Sequence, residues 1–555
     1  MRWMMSLFVL FVCILSYSQD TSRYSIVIHE IYADPTPSHG LPSSEFIELR
    51  NRTNREIDLK NWWISNGTSS GKINSNYLLK ADSMVIITTN GAVTAYRSYG
   101  STISISPFPS LNNEGDTLIL YSPAGTAIHA IAWDKSWYQN DLKEEGGWTL
   151  EMKDISKPCS GSPNWIASIS SSGGTPGKLN SVRAILNDST EPHSRYAYMP
   201  DSTTLRVVFN QPLTSLPELI PVDVKILSAN WLPPLFNLLE IHLSNPPPSI
   251  SNLEIRKMTG CSGINTAEDH VRFGLFAPVL GSQVIINEIL FDPPAGGGDY
   301  VELYNRSDQV IDMSRLWMGN RNSSGKISSL AALSNTSSPF YPGEYVLVAE
   351  DSNWIHRYYL PHLIRMIKAS LPSFPDNEGN VVLTDDGGLV LDELNYSEKW
   401  HAPLVSSPEG VALERIQFNR PTNDPVNWHS ASGQDRYGTP GYKNSQAIVP
   451  TPNSEWISLS NRVISPDLDG RDDLLLINYT LPKPGFLANI KVFDSYGRWI
   501  VTIANSEFCG TEGFFRWNGL NNQNQKPPKG SYIIFLQFFH PDGSIQSSRQ
   551  TIGIW

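Results

Sequence analysis

The chain repeats itself, and the repeat limits what it can fold into. Residues from Ile26 to about Leu179 can be laid over those from Val284 to about Asn444. IVIHEIYADP is answered by VIINEILFDP, and EFIELRNRTNREIDLKNWWI by DYVELYNRSDQVIDMSRLWM without a gap. SSGKI recurs as Ser69–Ile73 and Ser323–Ile327, PSLNNEGDTLIL matches PSFPDNEGNVVL, and GWTLEMKD corresponds to GVALERIQ. Both blocks close with Asn-Trp (Asn164-Trp165, Asn427-Trp428) and then Gly-Thr-Pro-Gly (Gly174–Gly177, Gly438–Gly441). Many matches in one order mark a duplication, so each block is a module with its own core.

The punctuation inside the blocks is that of short strands. Runs of Val, Ile, Leu, Tyr and Phe alternate with Asn, Asp, Gly, Pro and Ser clusters, and no major helical periodicity is present. Ile26–Ile31 and Val284–Ile289 read as strands, nearly continuous in apolar character except for Glu30 and Glu288. Asp34-Pro35 and Asp292-Pro293 end them, because proline has no N–H for the ladder. Phe46–Leu49 and Tyr300–Leu303 form a second strand that again carries one carboxylate, Glu48 or Glu302. Asn113-Glu114-Gly115 and Asn377-Glu378-Gly379 read as hairpin turns with glycine at positive φ. The Thr-Pro-Gly exits are turns that close the module.

The order INEI…DP, EYVELYN-like segment, Leu/Met-x-x-Trp, then NEG before a strand resembles the lamin-tail domain, an immunoglobulin-like β-sandwich of nuclear lamins and many secreted bacterial proteins. The second block carries INEI and DYVELYN; the first departs with His29 and with Leu49-Arg50-Asn51. The resemblance implies a fold and an accessory module, with no catalytic residues to carry over. Between the blocks, strands are expected at Leu205–Phe209, Val222–Leu227, Leu238–Leu243 and Leu253–Ile255, and LRVVFNQPL with TGCSGIN is similar to bacterial Ig-like modules. After a linker from Ile448 to Asn453, ISPDLDGRDD, RWNGLN and KGSYIIFLQFF resemble the Ig-like C-terminal modules of Bacteroidetes surface proteins and of flagellar hook-capping proteins. The expected class is all-β, a string of tandem immunoglobulin-like β-sandwiches. The expected domains are a signal peptide at 1–18, lamin-tail-like modules at 19–183 and 281–447, an Ig-like module at 184–280 and a C-terminal Ig-like module at 448–555.

The N-terminus has a charged start, an apolar run from Leu7 to Leu15 and small residues Ser16 and Ser18 before Gln19, the pattern of a secretory signal peptide. That run is short for a membrane span, and no later segment looks membrane-spanning. The remaining cysteines, Cys159, Cys261 and Cys509, stand in different expected domains at no zinc-ligand spacing. An exported chain without a disulfide framework must then rely on its cores. The net charge of −12 argues against a general phosphate-binding surface, so nucleic acid is not the expected partner.

Several constellations suggest chemistry. Gly67-Thr68-Ser69-Ser70-Gly71 spells G-x-S-x-G, yet a nucleophile elbow needs a strand before it and a helix after it, and neither pattern is present. Glu30 with Glu48, and Glu288 with Glu302, could serve as acid–base or metal pairs. Carboxylates on adjacent strands more often accept hydrogen bonds from loop amides or an arginine. His356 and His362 lack a third ligand and belong to a short helix on the sandwich edge. The crowded tryptophans, from Trp62-Trp63 and Trp133 to Trp428, are expected in cores more than on a ligand-stacking rim. Asp467, Asp469, Asp472 and Asp473, hard oxygen donors around Gly470, suit a calcium loop or an Asp/Gly turn satisfied by its own backbone. No catalytic residue is expected. The expected role is non-catalytic, structural or adhesive, at the outside or in the periplasm of a Gram-negative cell, with a surface protein or polysaccharide as partner. The alternative is an accessory part of an extracellular metal-dependent hydrolase system, by association with the nucleases and phosphatases that lamin-tail domains accompany.

Overall fold

The first strand of each repeat, Ile26–Tyr32 and Val284–Leu290, is buried along its entire length. In the first repeat Ile26, Ile28, Ile31 and Ala33 enter one core; in the second Val284, Ile286, Ile289 and Phe291 do so. The spacing changes from two to three because the strand is bulged, with the pairing register shifting between Ile28 and Glu30 and between Ile286 and Glu288. One extra residue, His29 or Asn287, resets the alternation and turns Glu30 or Glu288 onto the face opposite the core. Burial on both faces is why the strand reads as continuously apolar.

The computed structural model describes residues 22–555 except 188, 262, 351, 360–364, 373, 404, 406, 449–455 and 468. The expected signal peptide, and the expected linker beyond Ile448, lie outside these residues. The chain is all-β, built as tandem immunoglobulin-like β-sandwiches, and it divides into two compact units that part between Leu275 and Phe276.

The two repeats share one topology. In the first, a six-stranded sheet runs Trp165–Ala167, Leu150–Met152, Ile26–Tyr32, Phe46–Asn51, Met84–Thr88, Thr102–Ser104. It packs on a four-stranded sheet of Ala127–Asp134, Gly115–Tyr121, Trp63–Ser65 and Ser70–Lys72. In the second, the corresponding orders are Trp428–Ser430, Leu413–Arg415, Val284–Leu290, Tyr300–Asn305, Tyr345–Ala349, Met366–Lys368, and Val390–Ser397, Glu378–Asp385, Leu316–Arg321, Ile327–Ala332. In both, the last strand of the larger sheet pairs parallel to its neighbour. Trp62, Trp133, Trp165 and Trp428 are buried in these cores, as expected, while Trp63 lies half-buried, stacked on Tyr121 at 5.0 Å.

The first unit contains a further sandwich. Ser194–Tyr198, Thr204–Phe209, Leu238–Leu243 and Ile226–Leu232 face Glu218–Pro221, Ser251–Thr259 and Asn265–Phe273. The expected strand Val222–Leu227 is replaced by two strands flanking Asp223, whose φ of 62° breaks the extended run. In the second unit, Ile457–Leu459, Leu475–Thr480 and Glu512–Trp517 face a five-stranded sheet of Val463–Ile464, Ile545–Ile554, Gly530–Phe539, Leu487–Asp494 and Trp499–Phe508. The Asn-Glu-Gly segments are not hairpin turns: each leads into a strand whose hairpin lies at its other end. Gly115 has φ 138°, but Gly379 is extended and is required by close approach, since a Cβ there would lie 2.3 Å from the Tyr396 hydroxyl.

The cysteine expectation is corrected. Cys159 and Cys261 form a disulfide, with Cα atoms 5.7 Å apart, that joins the first repeat to the sandwich after it. Wide separation in sequence argues only against a link inside one small domain; adjacent domains bring distant loops together. The closed loop spans 102 residues, for which the loop-entropy view gives about 4–5 kcal/mol. Reduction, or Cys159→Ser with Cys261→Ser, is expected to lower the calorimetric Tm of the first unit by several degrees and leave the second unchanged. Cys509 is buried and unpaired.

Candidate functional site

The bulge brings three glutamates abreast in each repeat. Glu30 pairs across to Glu48 on one side and Glu151 on the other; Glu288 pairs likewise to Glu302 and Glu414. All six are fully buried. An unpaired buried carboxylate is costly, so the partners of these groups decide their role.

The partners are in the closing Gly-Thr-Pro-Gly segment, in the residues just beyond it and on the strands beside it. In the first repeat Glu30 Oε1 accepts the Thr175 N–H at 2.7 Å and the Thr149 hydroxyl at 2.7 Å. Glu151 accepts the Thr175 hydroxyl at 2.9 Å, the Ser181 hydroxyl at 2.8 Å and the Val182 N–H at 3.1 Å. Glu48 accepts the Gly177 N–H and lies 3.0 Å from His29 Nδ1. In the second repeat Glu288 accepts the Thr439 N–H at 3.0 Å, the Thr439 hydroxyl at 2.6 Å and the Tyr300 hydroxyl. Glu414 accepts the Ser445 hydroxyl and the Gln446 N–H, each at 2.8 Å. Glu302 accepts the Gly441 N–H and the Asn287 amide, the latter at 2.8 Å.

The two glycines of the segment have different reasons to be glycine. A Cβ on Gly174 or Gly438 would come within 2.6 Å of Thr149 or of the Tyr300 hydroxyl, so the segment needs bare backbone to reach the sheet. Gly177 and Gly441 turn the chain at φ 75° and 91°. Beyond the turn, the Asn180 and Asn444 side chains donate to the bulge carbonyls of His29 and Asn287, each at 3.0 Å. They also donate to the Met152 and Arg415 carbonyls, each at 2.9 Å. The bulge and the segment are thus one assembly, held by hydroxyl, amide and backbone N–H donors.

Charge state follows from this confinement. Burial raises the Glu30 carboxyl well above its usual range, with the neighbouring Glu48 and Glu151 adding to the effect. Burial likewise raises Glu302 and Glu414, and pushes Glu288 up to about 7. Geometry agrees: the Thr439 hydroxyl, which has one proton, lies 2.6 Å from Glu288 Oε2 and 2.9 Å from Glu414 Oε1. It can donate to one of them, so the other carboxyl must carry a proton and donate in return.

The repeats differ where the bulge N–H is satisfied. Ile28 N donates to His129 Nδ1 at 2.9 Å; Ile286 N donates to Asp392 at 2.8 Å, which also pairs with the buried Arg415 guanidinium at 3.2 Å. Burial pushes His129 down to about 4, keeping it a neutral acceptor. Glu151, Glu414, His129 and the Asp392–Arg415 pair were not singled out in the sequence. The signal for the two glutamates was the match of GWTLEMKD to GVALERIQ.

The remaining candidates resolve simply. Ser65 and Ser70 are a pair of facing hairpin positions, and Asn66 Oδ1 accepts the Thr68 and Ser69 N–H groups, so the G-x-S-x-G string is a hairpin loop without a helix after it. His356 is on the expected short helix Ser352–Tyr358; His362 lies outside the described residues. Asp467, Asp469 and Asp473 place carboxylate oxygens within 4.8 Å of one another. Asp472 turns away and accepts from Asn461 at 2.6 Å. The cluster also serves its own loop: Asp473 accepts the Asp467 and Gly470 N–H groups at 3.1 and 2.8 Å, and Asp469 the Arg471 N–H at 2.8 Å. Among the described residues no helix is long and apolar enough to cross a membrane.

A DUF4876 family protein from Bacteroides thetaiotaomicron VPI-5482 is 11% identical, over 41% of this chain and 86% of that one, at TM-score 0.18. PorZ, a surface component of the type-IX secretion system of Porphyromonas gingivalis, is 9% identical over 92% and 69% at TM-score 0.15. CopC from Methylosinus trichosporium OB3b is 15% identical over 18% and 91% at TM-score 0.13. Likenesses of this size carry no functional argument. No curated protein sequence matches the chain. A family does: residues 19–135, in the first repeat, match the Lamin Tail Domain.

Proposed function

We propose that this chain is an exported, non-catalytic protein of a Gram-negative cell envelope or its surroundings, working in surface architecture or adhesion. The observation that carries the reading is the use of the glutamates. The residues best suited to acid–base or metal chemistry are buried, abreast, and engaged with the module's own closing segment, which leaves no face for a substrate. The disulfide supports export, since such bonds persist in oxidising compartments. The edge strand Trp499–Phe508, paired on one side, offers a surface protein a place for strand addition; a polysaccharide is the other partner class.

The test is turnover. The mature protein with Ca²⁺ or Mg²⁺ is expected to release no product from phosphodiester, phosphomonoester or carboxylester substrates, and EDTA-sensitive turnover would overturn the reading. We further propose calcium at Asp467, Asp469 and Asp473, with Asp472 outside the ligand set. Millimolar Ca²⁺ is then expected to raise the Tm of the C-terminal sandwich by a few degrees, and Asp473→Asn to abolish the rise; equal Tm with and without the ion would remove calcium from the account.

A further inference from the structure

The first unit contains a cavity of about 160 Å³ at the seam between its two sandwiches. Tyr24, His129, Trp137 and Trp165 wall it from the first sandwich, and Pro212 and Phe236 are among its walls from the second. Two contacts hold the seam in place. The Cys159–Cys261 disulfide crosses it, with Cys159 itself on the wall. Arg23 of the first sandwich sits over the Phe236 ring of the second at 4.1 Å. On the second sandwich's side, Gln211 accepts the Cys261 N–H at 3.2 Å and donates to the Thr190 carbonyl at 3.0 Å, which fixes the loop that carries the disulfide.

The lining contains no Asp, Glu, Lys or Arg. Its one titratable ring of consequence, His129, stays neutral, with Nδ1 taking the Ile28 N–H and Nε2 lying 3.2 Å from the Pro158 carbonyl. An uncharged lining offers an ionised ligand no direct counter-charge, and burying an unpaired charge is costly. Two of its polar side chains are already engaged: Asn210 is tied to the His193 N–H and the Glu191 carbonyl, and Gln211 as above. Asn237 is on the lining with a side-chain amide that makes no hydrogen bond among the described residues, as are Trp137 and Trp165 with their indole N–H groups, and the rest of the wall is largely aromatic, proline and small apolar residues. The volume is close to the roughly 150 Å³ of a cavity that holds a benzene ring, and domain seams are favoured places for small-molecule sites.

We infer that this stapled seam is a binding site for a small, neutral, planar ring carrying one hydrogen-bonding group. Ring faces lie against Trp137 and Phe236, and the polar group of the ligand meets Asn237. The ring could come as a free small molecule or as the side chain of a partner peptide, and both share this chemistry.

The experiment uses the oxidised full-length mature chain and 5-fluoroindole, followed by ¹⁹F NMR. Saturable binding is expected, with Kd about 1 mM or tighter, and Ala132→Phe, which fills the cavity, is expected to weaken it about tenfold or more. Phe236→Ala, which removes a wall, serves should the filled variant not fold, and is expected to weaken binding comparably. Indole-3-acetate, an anion of similar shape, should compete at least about tenfold less well than indole. Reduction of the disulfide with a dithiol should weaken binding, because the walls come from two sandwiches. A short tryptophan-containing peptide tests the second source: competition at indole-like concentrations assigns the ring to a partner side chain, and its absence assigns it to a free molecule. Non-saturable signal, or equal affinity in the wild type and both pocket variants, would overturn the proposal.

Discussion

Glu288→Leu is expected to destabilise the second repeat by about 4 kcal/mol, read as a fall in the urea midpoint of the second unit at unchanged slope. The substitution removes the acceptor for the Thr439 N–H, the Thr439 hydroxyl and the Tyr300 hydroxyl. Each is buried, so each loses a partner without gaining water. Glu288→Gln keeps an oxygen acceptor and supplies an amide donor in similar space, and is expected to cost about 1 kcal/mol or less. The contrast separates a structural role from a chemical one. A general base or metal ligand would lose its function in both variants while the fold tolerated either.

Raising the pH from about 6.5 to 8.5 is expected to lower the stability of the second unit, with Glu288 and its neighbours as the source. Burial raises the folded-state carboxyls of Glu288, Glu302 and Glu414, so the folded chain holds protons that the unfolded chain has released. Stability from this source is complete below the unfolded glutamate range and is lost as the pH rises through the folded values. Asp299, pushed up to about 7 by burial, acts in the same direction. His401 and His429, lowered by burial, act oppositely, but on the acid side of 6.5, where the unfolded imidazoles gain protons. The window therefore reports the raised carboxyls together, Asp299 among them, and comparison with Glu302→Gln assigns the part of the glutamate row. Urea melts across this window should show a falling midpoint in the wild type and a flatter profile in Glu302→Gln; a midpoint that rises with pH would contradict the protonated row.

Much of the fold could be read from the chain because the duplication served as an internal control. A position kept in both blocks, such as the buried Glu48 and Glu302, belongs to the fold, and a motif present in one, such as G-x-S-x-G, does not. The structural role expected for Glu30, Glu48, Glu288 and Glu302 is the one found, with loop amides as partners. Their third companion was harder to see. Glu151 and Glu414 lie more than a hundred residues from the bulge and join it only through strand order. The bulge itself was hidden because a strand buried on both faces shows no alternation from which a slipped phase could be noticed. The disulfide was missed for a related reason: separation along the chain was taken for separation in space. The seam pocket has no local signature at all, since its walls are short pieces of two sandwiches, each ordinary in its own context.

Amide hydrogen exchange of the closing segments tests the central claim most directly. If the buried glutamates hold Gly-Thr-Pro-Gly onto the sheet, the N–H groups of Thr175, Gly177, Thr439 and Gly441 should be protected to the same order as those of the strands Ile26–Tyr32 and Val284–Leu290. Exchange of these four amides at the rate of an exposed turn would contradict the account.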